Sequence, residues 1–227
     1  MSNNNDKLAL IADALGDLCG RVVFVGGCVA QLYAESEAAE EVRPTDDVDC
    51  VVDLSSYSDY NRFAEQLRLR NFSNSCQPGD PLCRWSFENE IVDIMPYEDS
   101  PIGPSNRWYK PGFKNKIIYE ISKGLTIQML PITYYVATKF EALKSRGGDD
   151  YRFSHDFEDI VFVLRNSATF QQQYSCIEDQ SLKSYLKDRF KELTERPYLH
   201  EEVESALPFG ETDKADYVIE IMKSVCG

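Results

Sequence analysis

The stretch between Arg21 and Asp53 leaves few folds open to this chain. Arg21-Val-Val-Phe-Val25 is too short for a helix and β-branched enough for a buried strand. Gly26-Gly27 breaks it, and from Cys28 to about Glu40 the apolar residues Val29, Leu32 and Tyr33 return at helical spacing. Asp47-Val-Asp-Cys-Val-Val-Asp53 then reads as a second strand. A strand, a double glycine, a helix and a returning strand call for a sheet with helical cover.

Elsewhere the same two periods alternate. About Lys7 to Cys19 is expected as a first helix, and Tyr57 to Arg70 as an amphipathic one with Tyr60, Phe63, Ala64 and Leu67 on one face. Leu82 to Phe87 and Ile91 to Met95, on either side of Glu88-Asn89-Glu90, suggest an antiparallel hairpin. A second hairpin joins Lys116–Ile121 to Leu125–Met129 through Ser122-Lys123-Gly124. Pro131 opens a helix to about Arg146, ended by Gly147-Gly148. From His155 the reading is helical: His155 to Arg165, Ser181 to Thr194, about Leu199 to Ala206, and Asp213 to Val225. The fold class expected is α+β, a mixed-sheet domain over residues 1–130 followed by a helical C-terminal domain over 131–227.

Composition excludes several function classes. Among 227 residues, 24 Lys and Arg face 38 Asp and Glu, a net charge of −14 that repels nucleic acid and anionic membrane at long range. The charge is uneven: from Arg107 to Arg146 eight basic residues face two acidic ones. Such a stretch fits a site for a polyanion or a Lys-rich strand edge, and charge alone does not choose. Trp108, Tyr109, Phe113, Tyr134, Tyr135 and Phe140 lie in it and offer either stacking surfaces or core. The acidic segment Thr194 to Glu220 reads as a solvated helical face. Seven cysteines without a C-x-x-C pair, and only two histidines, argue against zinc and for small core residues in a reducing compartment, hence a cytoplasmic location. No tract is suited to span a bilayer, and the N-terminal segment lacks the basic start of a secretory signal.

The chemistry concentrates in a few positions. Side chains at i and i+2 of a strand share a face, so Asp47 and Asp49 project together, ~7 Å apart along the backbone, while Val48 and Cys50 face the core. Asp93, between Val92 and Ile94 on a later strand, adds a third carboxylate. Three hard oxygen donors suit Mg²⁺, and two such ions can activate an attacking oxygen and neutralise a leaving pyrophosphate. Gly26-Gly27, twenty residues before Asp47, offers backbone amides to a phosphate with no Cβ in the way. Taken singly, a double glycine is a turn and D-x-D a strand end. In this order and on these elements they are far more specific. Lys139 suits a triphosphate if it borders a cleft and is merely solvated if it does not. Asp156 and Asp159 open a helix, where acidic residues also complement the dipole. His155, a lone histidine near a helix start, is not assigned as a base.

The runs GGCVAQLYA, RPTDDVDCVVD and IVDIM, with PITYYVATKFEALKSRGGDDYRFSHDFEDIVFVL, resemble the polymerase-β-like nucleotidyltransferase superfamily, closest to its AbiEii-like, type IV toxin branch. The resemblance spans about Val22 to Leu164. It implies Asp47, Asp49 and Asp93 as catalytic metal ligands for Mg²⁺, and Gly26, Gly27, Arg43, Thr45, Lys139, Asp156 and Asp159 as nucleotide-binding residues. Gly27 stands where many members have serine, which removes a hydroxyl from the phosphate loop.

The expected activity is therefore Mg²⁺-dependent transfer of a nucleoside monophosphate from an NTP to an acceptor hydroxyl. The acceptor would be tRNA, a protein or a small molecule, and the toxin branch implies a possible antitoxin partner. The alternatives are an aminoglycoside-type small-molecule nucleotidyltransferase and a binding module that keeps the fold without turnover. Loss of one carboxylate would have favoured the module, and all three are present.

Overall fold

A computed structural model describes residues 3–35, 42–54, 56–74 and 79–226. Its contacts divide the chain into two units, residues 1–29 with 44–131 and residues 30–43 with 132–227. Residues 30–43 thus group with the helical part of the chain and not with the sheet that flanks them in sequence.

The first unit contains the whole sheet seen among the described residues. Its strands are β1 (Val22–Val25), β2 (Asp47–Val52), β3 (Ser73–Asn74), β4 (Arg84–Phe87), β5 (Glu90–Pro96), β6 (Ile117–Ser122) and β7 (Leu125–Met129), in the order β3-β4-β5-β2-β1-β7-β6. The sheet is mixed: β2 runs antiparallel to β1 but parallel to β5, and β1 runs parallel to β7. Both expected hairpins form, β4–β5 and β6–β7. Strands β1 and β2 sit in mid-sheet and are apolar on both faces except where β2 presents its aspartates; Val22 to Val25 and Cys50 to Val52 are all buried. The unit also holds α1 (Asn4–Leu15), α2 (Tyr57–Leu69) and the short α3 (Tyr109–Lys114). Helix α1 buries Leu8, Ile11, Ala12 and Leu15, and α2 buries Phe63, Ala64 and Leu67.

Two expectations change here. Helix α1 stops at Leu15 and not near Cys19, because Gly16 takes a left-handed φ of 55°, and a 3₁₀ segment Gly16–Arg21 continues to the strand. The helix expected from Cys28 is a 3₁₀ segment, Gly27–Tyr33. Apolar pairs at i and i+3, such as Val29 with Leu32, serve either helix type, so spacing over seven residues does not separate them. Ala34 and Glu35 lie beyond it in no regular element, and the rest of that expected helix, 36–40, lies outside the described residues, as does Cys76. Cys19, Cys28, Cys50 and Cys83 are buried and unbridged.

The second unit is built from α4 (Ile132–Arg146), α5 (His155–Asn166), α6 (Phe170–Ser175), α7 (Gln180–Thr194), α8 (Leu199–Ala206) and α9 (Ala215–Cys226). Helix α4 is buried around its whole circumference from Ile132 to Phe140. Phe190 packs edge-on to Phe140 at 4.9 Å and to Phe170 at 6.0 Å, joining α7 to α4 and α6. Ser154 caps α5 and Asp179 caps α7, each accepting from backbone amides of the first turn. Among the described residues, no helix is long and apolar enough to cross a membrane.

Phe24, fully buried on a central strand, anchors the sheet core. Phe24→Ala is expected to cost about 3–5 kcal/mol. Ile118→Lys on the edge strand β6, at a position 76% exposed, should change stability by about 0.5 kcal/mol or less. Urea denaturation of both variants checks the contrast.

Candidate metal centre

Strand pairing assembles the acidic cluster. Asp47 and Asp49 lie two residues apart on β2, and the parallel neighbour β5 places Asp93 directly beside Asp49 in register. Val48 and Cys50, the alternate residues, are fully buried beneath. One carboxylate oxygen from each of Asp47, Asp49 and Asp93 lies within 4.8 Å of the others. All three expected ligands therefore converge within the sheet unit.

Three local devices hold them there. Val25 of β1 pairs with Asp49, and the chain must turn immediately after it. Gly26 makes that turn at φ 73°, and a Cβ built on it would come 2.0 Å from Asp49 Oδ2. Glycine is thus required both by the left-handed backbone and by the approach of Asp49. Second, α1 grips the lead-in to β2: the Thr45 amide donates to Asn4 Oδ1 at 3.1 Å, and Lys7 Nζ donates to the Thr45 carbonyl at 2.8 Å while pairing with Glu90 at 2.9 Å. The Thr45 hydroxyl donates to the Asp47 carbonyl at 3.0 Å. Thr45 is buried and shapes the start of the strand. Third, Arg84 on β4 forks onto Asp93, Nε to Oδ1 at 2.9 Å and Nη2 to Oδ2 at 2.7 Å.

Burial and the neighbouring charge of Asp93 push the Asp47 carboxyl above the usual range, with Arg84 acting against them. A half-buried carboxyl raised in this way is short of positive charge. Together with an all-oxygen donor set, this fits a hard divalent cation, for which Asp47, Asp49 and Asp93 supply the ligands. Beside the cluster, burial pushes the Cys28 thiol up to about 12, so it stays a neutral packing residue.

Arg84 is the residue that sequence reading missed. The first hairpin was expected to turn through Glu88-Asn89-Glu90, which would place Arg84 opposite Ile94. The actual turn is Glu88-Asn89, with Glu88 at φ 52°, and it sets Arg84 opposite Asp93. A slip of one residue moves a side chain to the other face of a sheet.

The remaining nucleotide-binding candidates, Arg43, Lys139, Asp156 and Asp159, gather in the second unit. Lys139 is buried and pairs with Asp159 at 2.5 Å and Asp156 at 3.3 Å. Arg146 forks onto Asp156 at 2.7 and 2.9 Å. Arg43 meets Glu158 at 3.2 Å and Asp159 at 3.8 Å. Burial works against ionised Asp156, but the Arg146 hydrogen bonds and the Lys139 charge prevail and hold its carboxyl below the usual range. Lys139 is thus neither solvated nor on an open edge; its ammonium closes a buried ion-pair set. Of the aromatic stacking candidates, Trp108, Tyr134, Tyr135 and Phe140 are buried core residues. Lys110 is paired with Glu98, whereas Lys114 and Lys116 are exposed before β6.

No family model and no curated protein matches the chain. Among solved structures, the crystal structure of an antigenic nucleotidyltransferase-like protein from Paracoccidioides brasiliensis is similar over 92% of this chain and 96% of that one, with a TM-score of 0.52 and 15% identity. The chain therefore has a nucleotidyltransferase-like fold, a mixed seven-stranded sheet with helical units.

Two outcomes follow from this geometry. Gly26→Ala is expected to lose about 1–3 kcal/mol through backbone strain and to displace Asp49, weakening Mn²⁺ binding measured by calorimetry. Lys139→Met should cost about 3 kcal/mol at pH 7 by removing the ammonium between buried Asp156 and Asp159, although Arg146 still forks onto Asp156 and Arg43 still flanks Asp159. Because the folded pKa of Asp156 is lowered, its stabilisation is present above the unfolded value of about 4 and is lost as pH falls through the folded one. The deficit of Lys139→Met should shrink accordingly in denaturation curves taken toward pH 3.

Proposed function

We propose that this protein is a Mg²⁺-dependent nucleotidyltransferase that moves a nucleoside monophosphate from an NTP to an acceptor hydroxyl and releases pyrophosphate. The observation that carries the reading is the Asp47, Asp49 and Asp93 cluster, three carboxylates within 4.8 Å on adjacent strands of a nucleotidyltransferase-like fold. When bound, the divalent ion would neutralise charge on the triphosphate and the leaving pyrophosphate. Asp47 and Asp49 hold the ligand face of β2. Asp93 would join that ligand set and help to activate the attacking hydroxyl, whose oxygen bonds to the α-phosphorus as the bond to the bridging oxygen of pyrophosphate breaks and its proton is released.

The amides around Gly26 and Gly27, next to Asp49, are in this reading the phosphate-facing backbone. The family resemblance also implies Arg43, Thr45, Lys139, Asp156 and Asp159 as nucleotide-binding residues. The exposed pair Lys114 and Lys116 gives the sheet unit a cationic edge in an otherwise acidic chain, which favours an RNA hydroxyl as acceptor and agrees with a role as the toxin of a toxin–antitoxin pair.

Asp49→Asn tests the assignment, since it is nearly isosteric and relieves like-charge repulsion. Its melting temperature should hold or rise, while transfer from labelled NTPs to total RNA falls at least about 100-fold. Wild-type transfer rates in this variant would remove the cluster from the reaction.

A further inference from the structure

Arg84 occupies both oxygens of a carboxylate that the metal reading assigns to a cation. Its fork onto Asp93 is bidentate, and its side chain keeps 29% exposure. A second carboxylate, Asp80, stands 3.6 Å from Nη1. Arg84 thus supplies, in the protein alone, positive charge to the face where Asp47 and Asp93 crowd each other. Its charge also repels any divalent ion that approaches Asp93.

We infer that Arg84 is an exchangeable counter-ion that couples nucleotide binding to metal binding. Without nucleotide it holds Asp93 and lowers the affinity of the cluster for a divalent cation. A triphosphate offers the same planar fork more negative charge and more oxygens than one carboxylate does. The guanidinium therefore passes from Asp93 to phosphate oxygens when the nucleotide enters, and the vacated carboxylate oxygens join Asp47 and Asp49 around the metal. No covalent bond changes; one set of charge-assisted hydrogen bonds replaces another. The result is ordered loading, in which metal binds tightly only when nucleotide is present. This inference rests on the metal reading of the acidic cluster.

The test is calorimetric titration of Mn²⁺ into wild type, Arg84→Met and Arg84→Lys, each with and without a non-hydrolysable α,β-methylene NTP. Without nucleotide, Arg84→Met should bind Mn²⁺ about tenfold more tightly than wild type, because the competing charge is gone. The nucleotide-induced gain in Mn²⁺ affinity should be about tenfold smaller in Arg84→Met than in wild type. If Arg84→Met does not fold, Arg84→Lys carries the test: its charge remains, so Mn²⁺ affinity without nucleotide stays near wild type, while loss of the fork reduces the nucleotide-induced gain. Equal Mn²⁺ affinities and equal gains in all folded variants would overturn the exchange and leave the metal site standing. Failure of wild type and variants alike to bind Mn²⁺ would overturn the metal reading itself, and the exchange with it.

Discussion

Three carboxylates brought within 4.8 Å of one another repel, and much of the sheet unit is explained by the need to hold them there. The parallel pairing of β2 with β5 sets Asp93 beside Asp49, and no sequence-local contact could do so across 44 residues of chain. Gly26 removes the one Cβ that would exclude Asp49. Asn4 and Lys7 hold the Thr45 backbone and so determine where β2 begins. Arg84 supplies positive charge from the neighbouring strand. Each of these residues is explained by the position of an aspartate.

Asp156 and Asp47 are placed in opposite electrostatic surroundings. In the helical unit Asp156 is met by Arg146 and Lys139, and its carboxyl is held below the ordinary range. In the sheet unit Asp47 is raised by burial and by a neighbouring carboxylate. A lowered carboxyl has the cations it needs and contributes to stability. A raised one lies where like charges crowd together, a crowding that a bound cation would relieve.

The sequence made the central strands legible because both signals there are short-range. Val22 to Val25 can only be a buried strand, and the alternation in Asp47–Val52 assigns aspartates to one face and Val48 and Cys50 to the other. Asp93 was legible for the same reason, as a polar residue inside an apolar strand. Arg84 was not, because its partner depends on hairpin register, and a two-residue turn at Glu88-Asn89 differs by one position from the turn its polar trio suggests. The 3₁₀ form of Gly27–Tyr33 was hidden because i, i+3 apolar spacing is common to both helices. Lys139 shows a third limit: its position on α4 was readable, but its burial among two carboxylates from α5 depends on packing that local sequence does not encode. Asn4 carries no motif at all, and its role emerges only from the hydrogen bond to Thr45.

The central claim is that the aspartates of β2 and β5 form one divalent-metal site. It is tested most directly by crystals of the protein grown with Mn²⁺ and a non-hydrolysable NTP, measured at a wavelength where manganese scatters anomalously. The account predicts an anomalous peak in bonding contact, at about 2.0–2.2 Å, with oxygens of Asp47, Asp49 and Asp93. Nucleotide density with no peak between these carboxylates, and Asp93 still forked by Arg84, would contradict it.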